Sequence, residues 1–249
     1  STRTIRNDLE QINEFLNKNK LSGVSLGKQG VIETGKDMER ARQYLFQDDF
    51  YSYKLEKHER KMFMATLLIC ERDYRTLSNL ADCMYVSRST VVQDLDGLKA
   101  FFKKHKLYVV SHSNKGLILE GEEKNKRLLL LSMIKSNESV YREAPVFERL
   151  IRSLKEECRV DMEDLKTMEK VINLAEHFSG RFLTDTSFTN LKYFLVLSLY
   201  RMRLKKYAEQ DSKKNSKYEM AGYILKQLSD FAGIEVMEEE IKFIGRILN

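Results

Sequence analysis

The stretch SRSTVVQDLDGLKAFFKKHKLYVVSHSNKGLILEG, residues 87–121, has a gapless counterpart in STRTIRNDLEQINEFLNKNKLSGVSLGKQGVIETG, residues 1–35, at a constant offset of 86. Ser1 pairs with Ser87, Thr4 with Thr90, Asp8 with Asp94, Leu9 with Leu95 and Phe15 with Phe101. The match continues through Leu21/Leu107, Val24/Val110, Gly30/Gly116, Ile32/Ile118 and Gly35/Gly121. A self-match of this length constrains structure and purpose together. Each copy begins with helical spacing. Val91, Leu95, Leu98 and Phe102 share one face, as do Ile5, Leu9, Ile12 and Leu16, and both faces are expected to point inward. After Leu21 and Leu107 the texture changes to short apolar pairs around a polar, Gly-containing turn, which predicts a small β-hairpin.

Upstream of the second copy lie two more helical segments. HERKMFMATLLICER, from His58, places Met62, Ala65, Leu68 and Ile69 at core spacing. TLSNLADCMYV, from Thr76, opens on an N-cap threonine and carries Leu77, Leu80 and Ala81. Ser87 then stands where its hydroxyl can cap the next helix, for about 1 kcal/mol. The order helix, helix, short turn, helix, hairpin predicts a winged helix-turn-helix whose third helix, about 87–106, is in the recognition position. With Val91, Leu95, Leu98 and Phe102 inside, Ser89, Val92 and Asp96 face outward together with Arg88 and Gln93. Arg88 and Gln93 are the expected base readers, because guanidinium and carboxamide groups each match a two-point pattern on a base edge. Ser87 and Ser89 share the opening turns. In the first copy Thr2, Arg3, Arg6 and Asn7 occupy the equivalent faces, without the two leading helices. Lys99, Lys103, Lys104, Lys106 and Lys115, with His112 or Asn114, suit phosphate contacts that set register.

Bulk composition is a weaker witness. The 249 residues suffice for two or three domains, and 43 basic against 37 acidic residues leave a net charge of +6, divided evenly as +3 on residues 1–125 and +3 on the remainder. Total charge therefore singles out no nucleic-acid binder; a local basic face has to do so. Cys70, Cys83 and Cys158 lack metal-ligand spacing and read as reduced thiols of a cytoplasmic protein. The longest apolar run, LLLLSMI from Leu128, is too short to span a bilayer, and no signal peptide precedes it. The start at Ser1 without methionine points to a fragment of a longer chain.

A single proline, Pro145, and abundant Leu, Met, Lys and Glu favour a mostly α fold. From Phe147 onward the pattern predicts a helical bundle. Phe188, Leu191, Leu195, Ser198 and Met202 recur at helical spacing, as do Tyr223, Leu225, Leu228 and Phe231. The basic stretch RMRLKKYAEQDSKKNSK reads as a solvated connection, and Glu238–Glu239–Glu240 as an acidic helix start.

The motifs STRTIRNDLEQIN, TLSNLADCMYVSRSTVVQDLDGL, FTNLKYFLVLSLYRMRLKKY and MEEEIKFIGRIL together resemble bacterial sugar-operon regulators. Those proteins carry tandem helix-turn-helix modules followed by phosphotransferase-system regulation domains (PRDs). The likeness is to the MtlR, ManR and LicR branch and to the related Mga-like regulators. The resemblance implies an α-helical PRD bundle that dimerises and accepts phosphoryl groups on histidine from phosphocarrier proteins. In this chain the two expected histidine positions fall on Phe194 and Ile247, neither of which can accept one. His177 is the one histidine inside the PRD-like region and the remaining candidate for phosphorylation.

The organisation expected is a partial first module over 1–36, a linker with helix over 37–56, a complete winged module over 57–125, a connecting helix over 126–146 and a PRD-like domain over 147–249. Double-stranded DNA is the expected partner, with a homodimer and phosphocarrier proteins beside it, no membrane, no cofactor and no metal. Rival readings are an enzyme, an RNA-binding antiterminator relative and a helical protein-interaction module. The chain shows no G-x-S-x-G, H-E-x-x-H or phosphate-binding Gly loop, and tandem recognition helices argue against the antiterminator.

Overall fold

The structure is a computed structural model that describes residues 9–10, 12–14, 16–18, 20–27, 30–37, 40, 54–136, 141, 144–154, 160–209 and 218–248. It divides into two compact units, residues 1–54 and 55–249.

In the first unit a helical stretch within residues 9–18 leads into an antiparallel hairpin of β1 (Val24–Leu26) and β2 (Ile32–Thr34). Asn13 ties helix to hairpin: its Nδ2 donates to the Val24 carbonyl at 2.8 Å and its Oδ1 accepts from the Val24 N–H at 2.7 Å. The core is small, Leu16, Leu21 and Val24 with Leu9 against them. Ile12, expected inside, is 45% exposed, since so small a core covers only part of the helix face. Four of the first copy's expected DNA contacts, Thr2, Arg3, Arg6 and Asn7, and with them Ile5, lie outside the described residues.

The second unit begins with α1 (Lys57–Cys70), α2 (Leu77–Met84) and α3 (Arg88–Lys104), followed by a hairpin of β3 (Tyr108–His112) and β4 (Gly116–Glu120). Arg75 adds a one-residue antiparallel bridge to β4, exchanging backbone hydrogen bonds of 2.8 and 2.9 Å with Leu117. The local chemistry explains each boundary. The Thr76 hydroxyl caps α2 at the Asn79 N–H, and the Ser87 hydroxyl caps α3 at the Thr90 N–H. Between them Tyr85 closes α2 in the left-handed conformation, φ 53°, with its N–H on the carbonyls of Ala81 and Asp82. The helix ends at Lys104, slightly short of the 106 expected, because His105 and Lys106 bond back to Phe102 and Lys103 in a tight turn.

The hairpin turn depends on glycine. Gly116 sits at φ 118°, and a Cβ there would lie 2.7 Å from the Arg75 carbonyl oxygen. Its repeat partner Gly30 also has a positive φ, 79°. The repeated glycine thus marks a backbone requirement. Gly116→Ala is expected to lower stability by about 1–3 kcal/mol, as read from the urea midpoint, with loss of the β3–β4 amide protection in hydrogen exchange.

Beyond the hairpin come α4 (Glu123–Lys135), α5 (Ala144–Arg152), α6 (Met162–Ser179), α7 (Asp185–Arg203), α8 (Glu219–Ala232) and α9 (Glu238–Leu248). The fold is mostly α with two small antiparallel hairpins. Helix α7 is the centre: Asn190, Leu191 and every residue from Phe194 to Met202 are buried, which is why its sequence is apolar almost all round. It packs against α4 and α6, and α8 packs against α6 and α9. One apolar core runs from Leu55 through α1 and α3 to Ile244. Of the expected bundle stripe, Leu225 and Leu228 are buried and Tyr223 packs against the core, but Phe231 is 46% exposed. Phe231 lies one residue from the C-terminal end of α8.

A buried charged network joins the ends of these helices. The Arg201 guanidinium grips Glu123 with two bonds, 2.8 and 2.5 Å, and donates a third to the Glu71 carbonyl at 3.1 Å. Arg127 donates to Glu123 at 3.1 Å, to the Glu240 carboxylate and to the Lys206 carbonyl at 2.6 Å. Glu240 accepts in turn from the Ala208 N–H at 3.0 Å. Burial alone would raise the Glu123 carboxyl, but the Arg201 and Arg127 guanidiniums outweigh it and hold it below its ordinary value. Burial pushes the neighbouring Cys70 thiol up to about 12, where the Arg201 and Arg75 charges are opposed by Glu123 and Glu71, so it stays protonated.

Candidate nucleic-acid interface

Helix α3 carries the site. Its inner face is Val91, Leu95, Leu98 and Phe102, all buried, each contributing roughly 1.5–3 kcal/mol on burial. That seating forces Arg88, Ser89, Val92, Gln93 and Asp96 to the outside, and all five are exposed. The first turn holds no acidic residue, so the positive end of the helix dipole and the Arg88 guanidinium reinforce one another toward an anion.

Asp94 is the exception to the pattern. It is 1% exposed, on the inner side, and its carboxylate accepts from Arg60 Nε of α1 at 2.7 Å. Arg60 also reaches the Leu55 carbonyl at 3.0 Å. The pair neutralises the buried carboxylate of the helix and ties the inner face of α3 to α1. The repeat Asp8/Asp94 was the sequence signal for this residue, legible as a position in both copies but not as an ion pair with a residue 34 places upstream.

The remaining expected residues fall into groups. The Ser87 hydroxyl is occupied as the cap and shares hydrogen bonds with the Ser89 and Thr90 hydroxyls at 2.7 and 2.8 Å. Lys99 is exposed and bonded to Asp96 at 3.0 Å. Lys103, Lys104 and Lys106 are exposed at the far end of α3. Lys115 and His112 sit at the hairpin turn against one ring, Tyr74: the Lys115 ammonium is 5.5 Å from its centroid and the His112 ring meets it edge-on at 4.9 Å. Asn114 between them is left-handed, φ 63°. The base-facing candidates therefore cluster on the opening turns of α3, and the lysines lie at its end and on the hairpin.

A second contact was not legible in the sequence. Arg149 of α5 donates to the Cys83 carbonyl at 2.9 Å and stacks over Tyr85 at 4.2 Å. The turn that aims α3 thus rests on a helix more than sixty residues downstream. Arg75 adds a parallel tie, from its guanidinium to the Ser153 carbonyl at 3.0 Å.

In the downstream helices Phe194 is fully buried and faces Phe243 at 6.4 Å, and Ile247 is half-buried. His177 is exposed on α6, with the Phe182 ring edge-on at 5.8 Å. Among the described residues no group of His, Cys, Asp and Glu has the arrangement of a metal site, and no helix is long and apolar enough to cross a membrane.

No family model matches the chain. Two curated proteins of Bacillus subtilis (strain 168) are similar to it along 98% of its length: the transcriptional regulator ManR, 26% identical over 257 residues, and the probable licABCH operon regulator, 24% identical over 259 residues. The chain is similar to bacterial transcriptional regulators. It spans 38% of the length of each of these relatives.

Proposed function

We propose that the chain is part of a sequence-specific DNA-binding transcriptional regulator of a sugar phosphotransferase-system operon. In this reading residues 57–125 form a winged helix-turn-helix. Helix α3 enters the major groove by its N-terminal turns, with Arg88 and Gln93 reading base edges and Ser89 beside them. The β3–β4 hairpin is the wing. Lys99, Lys103 and Lys115 bind phosphate, and Thr2, Arg3, Arg6 and Asn7 serve the partial first module. The observation that carries the reading is the division of α3 into a buried apolar face and an exposed face whose opening turns present Arg88, Ser89 and Gln93. The names of the two relatives support it.

The helices from Phe147 onward act as a PRD-like regulatory and dimerisation domain. Dimerisation suits two half-sites about one helical turn apart, about 34–36 Å. Phosphoryl transfer from a phosphocarrier would fall on His177, because Phe194 and Ile247 are hydrocarbon.

A gel-shift series tests the reading. Labelled operator duplex and a random duplex of equal length are titrated at rising salt. Binding is expected to weaken for both, with a log–log slope of about −0.9 per phosphate contacted, and the operator should stay tighter throughout. Equal affinity for the two duplexes removes sequence-specific reading. Absence of any salt-dependent binding returns α3 to the role of a protein-contact surface.

A further inference from the structure

Helices α4, α7 and α9 line a half-open pocket of about 350 Å³ in the second unit. Leu131 of α4, Leu191 of α7 and Ile247 of α9 give it an aliphatic wall. Three polar groups share the lining: the exposed Lys135 ammonium, the Ser187 hydroxyl and the Asn190 carboxamide. Asn190 is 8% exposed, and its Oδ1 is buried with no hydrogen-bond partner. A buried amide left unpaired costs about 1–3 kcal/mol, so it points to a group that completes it. The volume is at the small end of ligand sites and is far larger than the roughly 30 Å³ of one water.

We infer that this pocket is a binding site for a small organic anion with an aliphatic body and one proton to donate, an alkyl phosphate in its monoanionic form. The hydrocarbon portion packs on Leu131, Leu191 and Ile247, the charge meets Lys135 and the Ser187 hydroxyl, and the P–OH of the phosphate monoanion donates to Asn190 Oδ1, which can only accept. Polyhydroxylated ligands suit it poorly, since the aliphatic wall would strand their hydroxyls. The occupant braces α4, and only Gly121 and Glu122 separate α4 from the end of β4. The site is therefore placed to act on the hairpin. That last step rests on the regulator reading; binding itself does not.

Methyl NMR of the protein, without DNA, tests the site. The probes are hexanoate, hexyl phosphate, 1-hexanol and inorganic phosphate, and the reporter is the Ile247 δ1 methyl, assigned by its loss in Ile247→Val. Hexyl phosphate should shift that methyl saturably; hexanoate, which has no proton to donate, and 1-hexanol, which has no charge, should do so more weakly. Inorganic phosphate should leave it unmoved. Lys135 is exposed, so Lys135→Ala keeps the fold; it should weaken the anions about tenfold or more and leave 1-hexanol unchanged. The proposal is overturned if hexyl phosphate does not saturate the shift, or if its affinity survives Lys135→Ala intact. Because no DNA is present, either failure leaves the reading of α3 standing.

Discussion

Arg88→Ala combined with Gln93→Ala lowers affinity for the cognate operator by about 2–6 kcal/mol, on the order of 30-fold or more, with the melting temperature unchanged. The size follows from two bidentate base contacts at roughly 1–3 kcal/mol each. The unchanged stability follows from position: both side chains are exposed, and neither touches the Val91, Leu95, Leu98 and Phe102 face that seats the helix. Affinity for random duplex should fall far less, because phosphate contacts at Lys103 and Lys115 remain. Fluorescence anisotropy on both duplexes, beside a thermal melt, separates the two effects. An operator affinity within twofold of the parent would remove Arg88 and Gln93 as readers.

Glu123→Gln is expected to cost about 3–5 kcal/mol of folding stability, a drop in melting temperature of about 6–20 °C. The carboxylate is shared by Arg201 and Arg127, which are 1% and 0% exposed. An amide in its place leaves Arg127 with Glu240 and removes the carboxylate that the buried Arg201 guanidinium grips. The double variant Glu123→Leu with Arg201→Met removes one charge of each sign and leaves the Arg127–Glu240 pair intact, so it should recover most of the loss. Titration gives the same conclusion with a sign. The folded Glu123 carboxyl lies below its ordinary value of 4.5, so its contribution is complete above that value and is lost as pH falls through the lower, folded one. Stability against acid should therefore decline less steeply in Glu123→Gln than in the parent. Urea midpoints across pH measure both effects. A single-variant loss under about 1 kcal/mol would contradict the network's role.

The two experiments address different layers of the molecule, and those layers were unequally legible. The α3 segment could be read directly. Its apolar spacing, the Ser87 cap and the Gly116 turn are local, each decided within a few residues, and the duplicate at residues 1–35 repeats them in order. The outward placement of Arg88 and Gln93 is simple helical arithmetic once the inner face is known. Phe231 and Ile12 show the limit of that arithmetic. Periodicity says that residues share a face, but burial depends on how far the neighbouring element extends over it.

The charged network lay beyond the reach of pattern. Arg201 to Glu123 spans 78 residues and Arg127 to Glu240 spans 113, and each of these side chains is an ordinary charged residue on its own helix. Arg149 beneath the α2–α3 turn, Arg60 opposite Asp94 and the pocket at Asn190 share this character. Sequence alone therefore determined the helices around the repeat, the Thr76 and Ser87 caps, the hairpins and the exposed face of α3, because backbone geometry and hydrophobic periodicity act over one or two turns. Tertiary structure alone decided which charges are buried together, which helix supports the α2–α3 turn and where space remains open. Those outcomes depend on distances between segments far apart in the chain, which desolvation and packing set only when the fold closes.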